Sequence, residues 1–173
     1  MKENTLAEML CSGKNLILDA GAGSGKTTTL INAVTALFLT DTAVTPEEVL
    51  LLTFTEKAAA EMRERLLYLW QSLLAKVRSS PGSGIAHILA DYPGDLSLSA
   101  ELAASSELLL KRLTGMNEHF GRLNASTLHS FCLTLLREHT VEAGCDPDFE
   151  VIDSFEQDRA FEDAFREFLW EEF

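Results

Sequence analysis

The chain has 173 residues, 46% hydrophobic and 24% charged, enough for one sizeable core and a little more than one domain. No apolar run approaches the roughly 20 residues that span a bilayer, and the polar start Met-Lys-Glu-Asn-Thr-Leu-Ala-Glu is no secretory signal, so a cytoplasmic protein without membrane contact is expected. Net charge is −13, of which −11 falls between Glu138 and Phe173; this argues against broad attraction to nucleic acid and leaves room only for a local groove. Cys11, Cys132 and Cys145 have no metal-ligand spacing and are expected as reduced, mostly buried thiols.

In chain order, a short lead-in over the first 14 residues precedes an apolar first strand at Asn15 to Asp19, expected to be buried on both faces of a parallel sheet. Ala20 to Thr27, Ala-Gly-Ala-Gly-Ser-Gly-Lys-Thr, follows and opens a helix from Thr28 to Leu39. Strand, glycine loop and helix in that order are the context of a phosphate-binding P-loop. Glycines let the backbone turn tightly and aim successive N–H groups at an anion, and the helix adds the positive end of its dipole. Lys26 suits the β- and γ-phosphates and the Thr27 hydroxyl suits Mg²⁺. The pattern usually begins with Gly; here that position is Ala20. Leu30, Val34, Leu37 and Phe38 give the helix one apolar face.

Thr45-Pro46 breaks that helix, and Val49 to Thr53 reads as a second buried strand, making a βαβ unit with the first. Next comes Thr53-Phe54-Thr55-Glu56-Lys57-Ala58-Ala59-Ala60-Glu61-Met62-Arg63-Glu64-Arg65, where Thr55 suits a helix cap. Leu66, Leu69, Trp70, Leu73 and Leu74 extend an apolar stripe to about Lys76. Phe54 stands at the carboxyl end of a parallel strand, where open α/β sheets place their ligands. It suits two roles equally, stacking on a base or packing beneath the helix.

Ser79 to Gly84 and Asp91 to Asp95 read as loops around a helical insertion (76–122), whose clearer helix is Ser99 to Leu113. Leu123 to Thr127 is a short third strand, and Leu128 to Arg137 a helix. Thr127, His129 and Ser130 gather hydrogen-bonding groups at their junction, which suits either phosphate contacts or simple capping. His129 and Cys132 alone make no metal or nucleophile site. Gly144 and Pro147 end the helix, and a final acidic helix carries Phe155, Phe161, Phe165, Phe168 and Leu169 on one face, read as a core face or a partner surface.

Ala20 to Thr27, Thr53 to Arg65 and Thr127-Leu128-His129-Ser130-Phe131-Cys132 resemble three successive motifs of superfamily 1 DNA helicases. The similarity is greatest to the UvrD/RecB group, especially the large helicase–nuclease subunits of the AddA and RecB type. Cys145 to Asp153 resembles the lead into an inserted helical subdomain, and residues 76–122 match only loosely. The resemblance implies a RecA-like α/β P-loop NTPase fold, a parallel sheet flanked by helices, here incomplete. Residues 1–145 would form part of a motor domain and 146–173 the start of a subdomain.

It further implies ATP and Mg²⁺ as cofactors held by Ala20, Gly21, Ala22, Gly23, Ser24, Gly25, Lys26, Thr27 and Thr28, with Lys26 as the catalytic lysine and Thr27 on the metal. Thr53, Phe54, Thr55, Thr127, His129 and Ser130 would line a single-stranded DNA track, which favours the stacking role for Phe54. Relatives usually carry an adenine-reading glutamine before the first strand, whereas Gln71 is the first glutamine here. These residues also lack the Asp-Glu pair that holds Mg²⁺ and the second motor domain with its arginines, so on their own they are expected to bind nucleotide weakly and hydrolyse it negligibly. The expected whole is an ATP-dependent DNA helicase in repair or recombination, whose partners are the second motor domain and another member of a nuclease complex. Two other classes suit the first motif. A nucleotide kinase would need an acceptor site and an arginine-rich lid, and a non-catalytic nucleotide or DNA-binding module would bind without turnover.

Overall fold

The structure, a computed structural model, describes residues 9–10, 12–13, 15–19, 21, 23–41, 43–79 and 105–172. Their elements are α1 (Lys26–Thr40), a 3₁₀ turn (Pro46–Glu48), β1 (Leu50–Thr53), α2 (Glu56–Ser79), α3 (Ser106–Glu118), a second 3₁₀ turn (Phe120–Arg122), β2 (Asn124–Thr127), α4 (Leu128–Glu138), α5 (Thr140–Ala143) and α6 (Ser154–Glu172). The chain is therefore α/β, with a small parallel sheet and many helices. It divides into two compact units, Met1–Ser130 and Phe131–Phe173.

In the first unit β1 and β2 pair in parallel, with Leu50 beside Asn124 and Thr53 beside Thr127. Between them the chain crosses over through α2 and α3. Helix α2 is the hub and packs on α3, β2, α1 and β1. Its apolar stripe folds as the 3.6-residue period predicts: Leu66, Leu69, Trp70 and Leu73 are buried, while Leu74 is half-buried. Trp70 is 0% exposed, meets Phe38 and Phe120 edge-to-face at 5.3 and 5.4 Å, and donates its indole N–H to Thr35 Oγ1 at 3.0 Å. Such ring pairs add about 0.5–1.5 kcal/mol beyond their burial. Ser105 caps α3 by accepting from the Leu108 N–H at 3.2 Å. The predicted loops and the start of the Ser99 helix lie outside the described residues.

In the first unit three expectations are corrected. Residues 15–19 form no strand, and Ile17 is 95% exposed. An apolar run becomes a strand only when it gains a hydrogen-bonded neighbour, and among the described residues β1 pairs with β2 instead. The predicted βαβ unit is thus replaced by the β1–β2 crossover. Second, β1 is not buried on both faces: Leu51 is in the core while Leu50 and Leu52 are exposed, because helices cover one side only. Third, α1 turns its face by about one residue. Ile31, Val34, Thr35, Phe38 and Leu39 are buried and Leu30 is exposed, since α1 packs on α2 and α3.

In the second unit α5 ends at Gly144, whose φ of 66° is the left-handed conformation that glycine reaches without strain. Asp153 and Glu156 cap α6 reciprocally, each carboxylate accepting the other residue's N–H at 2.8 and 3.2 Å. Phe161 and Phe165 stack at 6.2 Å on an exposed face, so α6 is not the core helix of the simpler reading. Cys132 is exposed and Cys145 half-exposed, against the expectation of buried thiols, because α4 and its following turn bury little; Cys11 lies outside the described residues. Among the described residues, no helix is long and apolar enough to cross a membrane.

Candidate functional site

The glycine loop enters α1 with backbone torsions that demand glycine. Gly23 has φ 75° and Gly25 φ 86°, both in the region where a Cβ costs about 1–2 kcal/mol per residue. Ser24 closes the turn by donating its N–H and its hydroxyl to the Gly21 carbonyl, at 3.4 and 2.7 Å. Helix α1 begins at Lys26, has no side-chain cap and carries no acidic residue in its first turn. Gly21, Gly23, Ser24, Gly25, Lys26, Thr27 and Thr28 are all exposed, and Ala20 and Ala22 lie outside the described residues. An exposed helix N-terminus with no acidic residue in its first turn, preceded by positive-φ glycines, has the donor set that fits a phosphate.

Thr27 lines one open cleft of 330 Å³ together with Leu52, Thr53, Phe54, Thr55, Ala58, Glu61 and Met62. The fold thus brings the first motif to the second. A larger cleft of 410 Å³, floored by Phe38, Pro46 and Met116, has no motif residue in its lining, so size alone does not mark the site.

Where β1 runs into α2, Phe54 is 103% exposed, which removes the reading that it packs beneath the helix. Thr55 caps α2, its Oγ1 accepting the Ala58 N–H at 3.1 Å and its carbonyl the Ala59 N–H at 3.1 Å. Thr53 donates its hydroxyl to the Thr55 carbonyl at 3.0 Å, bracing the turn that holds Phe54 out. The ring is therefore presented by a hydrogen-bonded junction.

The third motif stands alongside because the register sets Thr127 beside Thr53. Neighbouring strands lie about 4.8 Å apart, so the two strand-to-helix junctions share one edge. Thr127 is buried at 6% exposure and its Oγ1 accepts the Ser130 N–H at 3.2 Å, capping α4. His129 is exposed at the same junction. Glu56 binds the two motifs together: its Oε1 accepts the Ser130 hydroxyl at 2.6 Å and the Thr127 hydroxyl at 2.8 Å. Hydrogen bonds from Ser130 first and Thr127 second hold the Glu56 carboxyl below the usual carboxylate range, so it is ionised at neutral pH.

A second clasp lies further along α2. Arg63 donates to the Leu123 carbonyl and rests its guanidinium over Phe120, 5.5 Å from the ring centroid. From Glu56 to Arg63 the helix rises about 10.5 Å, and from Leu123 to Thr127 a strand covers about 13 Å, so the two clasps fix α2 antiparallel along β2. Sequence reasoning missed the roles of Glu56 and Arg63. The only signal was their place inside the second motif, and their partners lie 60 to 74 residues away.

The sequence matches the UvrD/REP helicase N-terminal domain over residues 1–171. It is 34% identical over 153 residues, 87% of this chain, to an ATP-dependent helicase/nuclease subunit of Desulforamulus reducens. The proteins of the same name from Geobacillus thermodenitrificans and Listeria welshimeri are 30% identical over 93% and 28% identical over 94% of the chain. The chain spans only 10% to 11% of the length of these relatives. A match over residues 1–171 makes this chain a member of the UvrD/REP helicase N-terminal domain family.

Proposed function

We propose that the chain is the nucleotide-binding front part of an ATP-dependent DNA helicase that moves on single-stranded DNA in repair or recombination. The observation that carries the reading is the shared edge: exposed Phe54 stands one residue past the Thr53–Thr127 register pair and lines one cleft with Thr27. A nucleotide at the glycine loop and a strand at the two junctions would then be neighbours, the arrangement that coupling one to the other needs. The relatives, which are named as ATP-dependent helicase/nuclease subunits, support the same reading.

In this reading the amides of Gly21 to Thr28, in a loop that also contains Ala20 and Ala22, cradle the phosphates at the start of α1. Lys26 neutralises their charge, and the Thr27 hydroxyl is a ligand for Mg²⁺. ATP supplies the free energy for stepping. Phe54 stacks on a base, while Thr53, Thr55, Thr127, His129 and Ser130 border the strand. Of these, Thr55 keeps its hydroxyl proton to give, whereas the Thr53 proton is committed to the Thr55 carbonyl. The partners are the second motor domain and another member of a nuclease complex, in the cytoplasm.

Binding of a fluorescent ATP analogue tests the first half of the reading. The chain binds it weakly, and Lys26→Ala weakens it by about tenfold or more, the scale of a lost charged hydrogen bond. Turnover by these 173 residues alone is negligible, because no Asp-Glu pair is present to orient water. Measurable ATP hydrolysis that disappears in Lys26→Ala would contradict this account of the chain.

A further inference from the structure

If the junctions are a single-strand track, the track contains a fixed anion that the motif reading did not anticipate. Glu56 sits in the first turn of α2, where a carboxylate is favoured by the helix dipole, and two residues from the exposed ring of Phe54. Ser130 and Thr127 each have one hydroxyl proton, and for both the nearest acceptor is Glu56 Oε1, at 2.6 and 2.8 Å. Two hydroxyls beside the first turn of α4 are the groups that hold a DNA phosphate. Here the protein's own carboxylate has taken their protons. We propose that Glu56 is a specificity-determining residue of the track, an internal competitor that a DNA phosphate must displace before Thr127 and Ser130 can hold it.

This rests on the single-strand reading and adds a consequence of opposite sign to that of a simple clamp. A clamp that merely positions the two junctions would weaken DNA binding when removed. A competitor strengthens it, since its loss removes a negative charge from the track and releases the Ser130 hydroxyl from Glu56, while the Thr127 hydroxyl can still donate to Ser130 Oγ at 2.9 Å. The cost of displacement also makes the track selective, because only a strand that stacks on Phe54 at the same time has binding free energy to offset it.

The experiment is fluorescence anisotropy of a labelled oligothymidylate titrated with the purified chain, at low and moderate salt. Glu56→Gln keeps an acceptor for both hydroxyls and loses only the charge. It is expected to bind about fivefold more tightly, the scale of one unit charge about 4 Å from another in water. Glu56→Ala is expected to gain at least as much, and adding Ser130→Ala to it should take back part of the gain. Thermal melting matched to the wild type qualifies each variant. Equal or weaker binding by folded Glu56→Gln overturns the proposal. If Phe54→Ala weakens binding while Glu56→Gln changes nothing, the proposal fails and the single-strand reading stands. No binding by the wild type even at low salt would overturn both.

Discussion

The two ends of α2 share one helix and have opposite characters. Around Trp70 the side chains of Leu66, Leu69, Leu73 and Val77 are buried, and the indole N–H finds Thr35. Around Glu56 the surroundings are open, the neighbouring ring of Phe54 is bare, and the order comes from hydroxyls, a carboxylate and a helix cap. A single rigid rod thereby anchors the site in the core. Errors at the buried end should cost stability, and errors at the open end should cost binding. That separation can be tested from both sides.

The largest expected effect lies at the closed end. Trp70→Ala removes two edge-to-face ring contacts and the bond to Thr35, and should cost about 3–5 kcal/mol in urea unfolding. A loss under about 1 kcal/mol would mean that the Phe38–Trp70–Phe120 layer is not the structural anchor. Next in size is the glycine loop. Among the described residues outside its chain neighbours, no atom lies within 4 Å of a Cβ built on Gly25, so Gly25→Ala is opposed there by its φ of 86°. The expected penalty is about 1–2 kcal/mol, confined to an exposed loop. It should appear as a roughly tenfold loss of nucleotide affinity with an unchanged melting temperature.

The smallest effect concerns acid. Glu48 accepts the Thr45 N–H at 2.8 Å and its hydroxyl at 2.9 Å, and these bonds, the backbone one first, lower its pKa from 4.5. Glu56 is lowered by Ser130 and Thr127. In both cases the folded state binds the proton less readily than the unfolded state. Their contribution is therefore complete above the ordinary carboxylate value and is lost as pH falls through the lowered one. The urea midpoint should stay flat from neutral pH to about pH 5 and decline below it, and Thr45→Val should make that decline shallower. A midpoint that rises on acidification would reverse the sign of the account.

The closed end of α2 was legible in the sequence because packing leaves a period. Leu66, Leu69, Trp70 and Leu73 repeat at helical spacing, and all four are buried. The open end was half legible. Phe54, Thr127 and Ser130 stood out as motif residues, but the roles of Glu56 and Arg63 depend on pairings across 60 to 74 residues that no local pattern encodes. The run at 15–19 shows the converse limit. Leu16, Ile17 and Leu18 have strand composition, yet a strand is a relation between two segments, and Leu50–Thr53 finds its neighbour at Asn124–Thr127 instead.

The central claim is that the open end of α2 presents Phe54 to a nucleic-acid base, and one comparison tests it most directly. A labelled single-stranded oligonucleotide is titrated with the wild-type chain and with Phe54→Ala, with urea unfolding of both as the reference. Because Phe54 is fully exposed, the account predicts unchanged stability and a loss of about 1–3 kcal/mol in binding, roughly five- to 150-fold in affinity. Equal affinity of the two proteins, or a loss of affinity that merely follows a loss of stability, would contradict it.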